Sequence, residues 1–160
     1  MSDIGREFIS LCEEDTERLG ERLGRSLSEP LFIAIYGGLG AGKTAFVRGL
    51  AAGLGAAGVH SPTFSIVHEH EGRLRLLHFD IYRLSGADEL YETGFADYLG
   101  EDAVIAMEWP EVAEEALPEK RLDVYISGGD ADGAVSGDKR MIRMQSRCGA
   151  YNLDLLLSEG

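Results

Sequence analysis

The chain has 160 residues, 44% of them hydrophobic, which suits one domain built on a single core. Its net charge of −13 argues against a direct grip on nucleic acid, since that binding draws affinity from Lys and Arg that release counterions. No apolar run approaches the roughly 20 residues that span a bilayer, and MSDIGREF lacks a basic segment leading into an apolar one, so no membrane association and a soluble, cytoplasmic protein are expected.

From Thr16, the segment TERLGERLGRSL places Leu19, Leu23 and Leu27 four residues apart. This spacing predicts an amphipathic helix, capped by Thr16 and ended before Pro30. Leu31 to Tyr36 (LFIAIY) is short, apolar, β-branched and aromatic, as in a buried strand. Gly37 to Thr44 reads GGLGAGKT, and Ala45, Phe46, Val47, Leu50, Ala51 and Leu54 follow at helical spacing. A strand, a glycine-rich turn and a helix in this order make a phosphate-binding loop. Gly37, Gly40 and Gly42 let the backbone curl until N–H groups point inward at a polyphosphate, with Gly38, Leu39, Ala41 and Ala45 completing the cradle. Lys43 is placed to reach the outer phosphates and the Thr44 hydroxyl to ligate Mg²⁺.

GLGAAGVHSPT reads as a loop, and Ser61, Pro62 and Thr63 by themselves as a turn. Phe64 to His70 and Arg73 to Phe79 flank Glu71-Gly72 and predict an antiparallel hairpin. A short helix is predicted over Ala87 to Thr93, a strand over Ala103 to Met107, and a bend at Trp109-Pro110. Strands over Leu122 to Ser127 and Met141 to Gln145 follow, with a last helix over Leu153 to Leu157. Gly128 to Asp138 (GGDADGAVSGD) reads as a polar loop within a single domain spanning residues 1–160. The succession predicts an α/β fold, a P-loop NTPase domain whose mixed central sheet is flanked by helices and carries the hairpin.

Hydrolysis needs carboxylates near the phosphates as well as a loop. Asp80 ends the apolar run LRLLHFD, and Glu108 ends AVIAME. Either Asp80 holds the metal while Glu108 positions or deprotonates water, or both enter the metal shell. Trp109, the only tryptophan, reads as core or interface. His68 and His70 share one side of a predicted strand, but two imidazoles without a third ligand do not make a zinc site. Cys12 and Cys148 are far apart and read as reduced thiols without a role. Ser85 to Glu119 carries eleven acids and no Lys or Arg, either a solvated face or a docking surface for a basic partner. The group Lys139, Arg140, Arg143 and Arg147 is too sparse to offset it.

The motifs GGLGAGKTAFVRG, SPTF, HFDIYRL and EWPE, in this order and with these gaps, resemble the TsaE family over about Glu13 to Ile126. The resemblance implies an Mg²⁺-dependent ATPase that supports the TsaD and TsaB complex, which transfers a threonylcarbamoyl group to an adenosine of tRNAs reading codons that begin with A. It also implies phosphate and Mg²⁺ roles for Lys43 and Thr44, a Walker-B-like role for Asp80, and a metal-site or catalytic role for Glu108. By the same resemblance Ser61 to Thr63 form a switch-like loop, Trp109 is needed for function, and Glu13 and Thr16 lie near the adenine of ATP. The family usually has Asp where this chain has Gly38. The alternative is a small-molecule kinase with Asp80 and Arg83 on the acceptor side, which the lack of an Arg-rich lid disfavours.

Overall fold

The computed structural model describes residues 4–56, 66–128 and 137–156. Along the chain run β1 (Ile4–Ser10), α1 (Glu13–Ser26), β2 (Phe32–Tyr36), α2 (Lys43–Gly53), β3 (Val67–His70) and β4 (Arg75–Asp80). Then come α3 (Ala87–Glu92), α4 (Phe95–Leu99), β5 (Ala103–Glu108), a 3₁₀ segment (Pro110–Ala116), β6 (Arg121–Gly128), β7 (Arg140–Arg147) and a second 3₁₀ segment (Leu153–Leu156).

The described strands form one seven-stranded mixed sheet in the order β1-β7-β6-β2-β5-β4-β3. Its centre is parallel, with β5 and β6 on either side of β2 and β4 beyond β5, whereas β1, β7 and β3 pair antiparallel. The central strands are buried on both faces, which is why they read as continuous apolar runs. Ile33, Ile35, Val104 and Ala106 join the core that holds Leu23 of α1 with Phe46 and Leu50 of α2. Phe32, Ala34, Ile105 and Met107 join Leu90 of α3, Phe95 of α4 and Ala113 of the 3₁₀ segment on the other face. Phe95 meets Phe79 and Phe32 edge to face, at centroid distances of 5.5 and 6.2 Å. Among the described residues no helix is long and apolar enough to cross a membrane.

Helices α1 and α2 touch main chain to main chain. A Cβ added to Gly49 would lie 1.8 Å from Glu17 O, and one at Gly20 would lie 2.2 Å from Phe46 O. Gly24 and Gly53 are equally tight, against Leu50 O and Glu21 O. Arg73 ties the C-terminal ends of both helices to the β3–β4 connection. Its guanidinium donates to Leu27 O at 2.6 Å, Gly24 O at 2.8 Å and Gly53 O at 3.4 Å at the helix ends, Gly24 O also accepting the Leu27 N–H.

The structure corrects several expectations. Helix α1 begins at Glu13, so Thr16 is not its cap: Cys12 holds the cap position without a side-chain bond. Glu13, Glu14 and Asp15 in the first turn suit the positive end of the helix dipole, and Asp15 accepts the Leu11 N–H at 3.0 Å. Strand β1 has no counterpart in the sequence reading. It is a sheet edge whose burial alternates, but Arg6 and Ser10 fall on the more buried side and Ile9 on the exposed one, so the sequence lacks the apolar–polar alternation of a half-buried strand. Helix α4 is also additional. His70 pairs with Leu76, so residues 71–75 separate the paired ends instead of Glu71-Gly72 alone. A Cβ on Gly72 would reach Leu54 O at 2.4 Å, and Arg73 N–H donates to Leu54 O, so the connection is shaped by α2 rather than by a tight hairpin turn. The last helix is a 3₁₀ turn over Leu153–Leu156.

Candidate active site

Strand β2 delivers the chain into the glycine-rich loop, and α2 leaves it at Lys43. Gly40 and Gly42 have φ of 76° and 108°, a region that disfavours any residue with a Cβ. Gly37 is required for another reason: a Cβ there would sit 2.8 Å from Ile126 O. The loop closes on itself through Ala41 N–H to Gly38 O at 3.2 Å, and Gly42 begins α2 by accepting the Phe46 N–H at 3.0 Å. Leu39 points to solvent with 73% of its surface exposed, so it can contribute only main chain to a ligand within the loop.

A cavity of about 450 Å³ opens over this loop. It is lined by residues 38–45 together with Glu13, Thr16, Arg48, Asp80, Glu108, Trp109, Asp138 and Arg140. Strands β4 and β5 bring the two carboxylates there: Asp80 and Glu108 are paired residues at the ends of neighbouring parallel strands. Glu13 and Thr16 arrive on α1. Thr16 is buried and shares a 2.7 Å hydrogen bond with Ser10, while Arg48 of α2 bridges to Glu13 and Glu17 at 3.4 and 3.3 Å. Ser61, Pro62 and Thr63 lie outside the described residues.

Lys43 is held inside the cavity. Its ammonium donates to Gly37 O and Gly38 O and stands 3.6 Å from the centroid of the Trp109 ring. Burial pulls its pKa down, and the charges of Glu108, Glu111 and Asp80 oppose that pull. Trp109 reaches this position through a left-handed backbone, φ 63° and ψ 42°, uncommon for a bulky residue. Its ring also packs on Tyr82 at 4.8 Å. The polar cavity face gives the tryptophan a cation to cover, which neither core nor interface alone describes.

Asp80 is half-buried and accepts the Tyr82 N–H at 3.1 Å. Burial raises its pKa, and the Glu108 charge adds to the rise while the Tyr82 N–H, His78 and Lys43 work against it. Glu108 is 3% exposed, and its Oε2 lies 2.6 Å from Nε2 of the fully buried His78. His78 precedes Asp80 by two positions on one strand, so both side chains leave the same face. That period-two relation was a readable signal for His78, which the sequence reading did not use. Arg140 is the other addition. It donates to Ala41 O at 3.0 Å and Gly40 O at 3.2 Å, and no sequence spacing signals a contact between residues so far apart in the chain.

The donors suit a hard cation: one hydroxyl and two carboxylates, all oxygen, with Asp80 short of a compensating charge. Among the described residues no three His, Cys, Asp or Glu converge on a preformed metal site, so Mg²⁺ here would draw part of its shell from phosphate and water.

A parallel-centred mixed sheet flanked by helices, whose strand ends meet a glycine-rich loop and the N-terminus of a helix, defines an α/β protein. The chain belongs to the TsaE family: the family model described as "Threonylcarbamoyl adenosine biosynthesis protein TsaE" matches residues 11–136. It is 39% identical to the tRNA threonylcarbamoyladenosine biosynthesis protein TsaE of Treponema pallidum, over 74% of this chain and 88% of that one. The protein of the same name from Bacillus subtilis is 41% identical over 62% of this chain and 63% of its own length. The crystal structure of Bacillus subtilis YdiB superposes with a TM-score of 0.75 at 28% identity, covering 98% of this chain and 94% of that one.

Proposed function

We propose that this chain is an Mg²⁺-dependent ATPase that serves the threonylcarbamoyladenosine modification of tRNA and is activated by a complex of TsaD and TsaB. The observation that carries the reading is one cavity holding the loop lysine, the Thr44 position and the paired carboxylates of Asp80 and Glu108. Family membership supports the pathway, through the names its relatives carry.

In this reading the loop N–H groups and the α2 N-terminus hold the phosphates, and Lys43 leaves the Trp109 face and the two carbonyls to pair with the outer phosphoryl oxygens. Thr44 and Asp80 hold Mg²⁺, which when bound supplies neutralisation of phosphoryl charge. Glu108 orients the attacking water and takes its proton, with His78 fixing the direction of the carboxylate. Glu13 and Thr16 border the nucleoside end. The net charge of −13 leaves tRNA to the partners, and the acidic stretch Ser85 to Glu119 does not invite it.

The test is replacement of TsaE in a bacterium by this chain, with threonylcarbamoyladenosine measured in tRNA. The wild type restores the modification and Lys43→Ala does not; soluble wild type that leaves tRNA unmodified overturns the proposal. In vitro, hydrolysis is slow alone and faster with TsaD and TsaB, and Glu108→Gln retains ATP binding while losing turnover. Equal rates with and without the complex count against partner activation.

A further inference from the structure

Arg140 is the first residue of β7 and lies beyond residue 136, where the family match ends. Strand register sets it beside Gly128 of β6 and Ser10 of β1, at the sheet end that faces the loop. Among the described residues its guanidinium makes four hydrogen bonds, all to main-chain carbonyls. Nε donates to Ala41 O at 3.0 Å and one terminal nitrogen to Gly40 O at 3.2 Å. The other terminal nitrogen donates to Gly137 O at 2.8 Å and Lys139 O at 2.9 Å. One edge of a rigid planar group thus grips the phosphate loop, and the opposite nitrogen grips the segment leading into β7.

The gripped carbonyls sit between the two left-handed glycines, Gly40 and Gly42. In a planar trans peptide the carbonyl and the following N–H point in opposite directions. Holding Gly40 O and Ala41 O toward Arg140 therefore turns the N–H groups of Ala41 and Gly42 away from it, to the inside of the curl. The Ala41 N–H lies there, donating to Gly38 O across the loop. A loop with two freely rotating glycines would otherwise lose this arrangement of donors to conformational entropy.

We propose that Arg140 is a positioning residue for polyphosphate: by holding Gly40 O and Ala41 O it keeps the Ala41 N–H closing the loop on Gly38 O and the Gly42 N–H turned to the inside of the curl, where the ligand binds. This rests on the reading of the site as an ATP site. It acts through geometry, so a point charge in the same place does not replace it.

The test titrates ATP against the full-length wild type, Lys43→Ala, Arg140→Ala and Arg140→Lys, with amide hydrogen exchange followed on the nucleotide-free proteins. Wild type binds and Lys43→Ala does not. Both Arg140 variants raise Kd about tenfold, which is about 1.4 kcal/mol. Exchange accelerates at residues 40–42 and stays at the wild-type rate in β2 and the middle of α2. Should Arg140→Ala fail to fold, Arg140→Lys carries the comparison. Wild-type affinity in Arg140→Lys overturns the inference, because charge alone would then suffice, and so does unchanged exchange in the loop. Failure of the wild type to bind ATP overturns the functional reading and this inference together, whereas normal wild-type binding with unaffected Arg140 variants overturns this inference alone.

Discussion

Gly49→Ala adds one carbon where α1 and α2 are in main-chain contact. The new Cβ would lie 1.8 Å from Glu17 O and 2.7 Å from Glu17 C, atoms that cannot rotate away as a side-chain end can. Restoring the 3.4 Å of ordinary contact from 1.8 Å requires α1 to retreat by about 1.6 Å. That retreat would loosen the neighbouring contacts of Gly20 with Phe46 and of Gly24 with Leu50. Overpacking costs about 1–3 kcal/mol, and a main-chain obstacle puts this site at about 3. Replacing a mid-helix glycine returns about 1 kcal/mol of helix propensity. The net loss is about 2 kcal/mol, which lowers the urea midpoint by about 1 M. Gly86→Ala is the control, since a Cβ there meets nothing within 4 Å. A Gly49→Ala protein that unfolds at the wild-type midpoint, or a Gly86→Ala protein equally damaged, would refute the close-contact argument.

Three further outcomes are expected. Asp80→Asn raises the melting temperature of the nucleotide-free protein at neutral pH. Burial and the Glu108 charge keep the Asp80 carboxyl above its ordinary value, so stability falls as pH rises from that value through the raised one, and the advantage of Asn disappears below about pH 4; a less stable variant at neutral pH would contradict this. Tyr36 is pushed up to about 12 by burial and by Asp123, so the wild type loses stability as pH rises from 10 to about 12. Phenolate absorbance with and without Tyr36→Phe checks it, the variant lacking that late titration and its share of the alkaline loss. Arg73→Ala removes the guanidinium donor from the carbonyls of Leu27, Gly24 and Gly53, of which Gly24 keeps the Leu27 N–H, and destabilises by about 1.5 kcal/mol in chemical denaturation, with Arg73→Lys restoring only part. Full stability of Arg73→Ala would show that water serves those carbonyls as well.

The two central strands were legible because LFIAIY and AVIAME are buried on both sides and need no partner pattern to declare themselves, whereas their parallel pairing came only from the structure. The loop was legible for a comparable reason, since Gly40 and Gly42 stand at positions that demand positive φ. β1 was not, because an edge strand is specified by its antiparallel partner β7, far away in the chain. The misplaced helix start has a local cause: Thr16 has the chemistry of a cap, but the three acids before it gain from the dipole as helical residues. In the site, Asp80 and Glu108 announced themselves as acids ending apolar strands. Their pairing residue to residue and the Arg140 grip depend on how distant strands and the loop come together, which spacing along the chain does not encode, whereas the shared face of His78 and Asp80 could be read from their two-residue spacing. The segment with Ser61, Pro62 and Thr63 lies outside the described residues.

The indole over Lys43 belongs to the only tryptophan in the chain. An ammonium 3.6 Å from the ring is attracted by its π face, and under the proposed ATP reading an incoming phosphate that draws the lysine away is expected to change the ring's emission. Ordinary tryptophan fluorescence, with no label attached, would then follow the lysine as it changes partners.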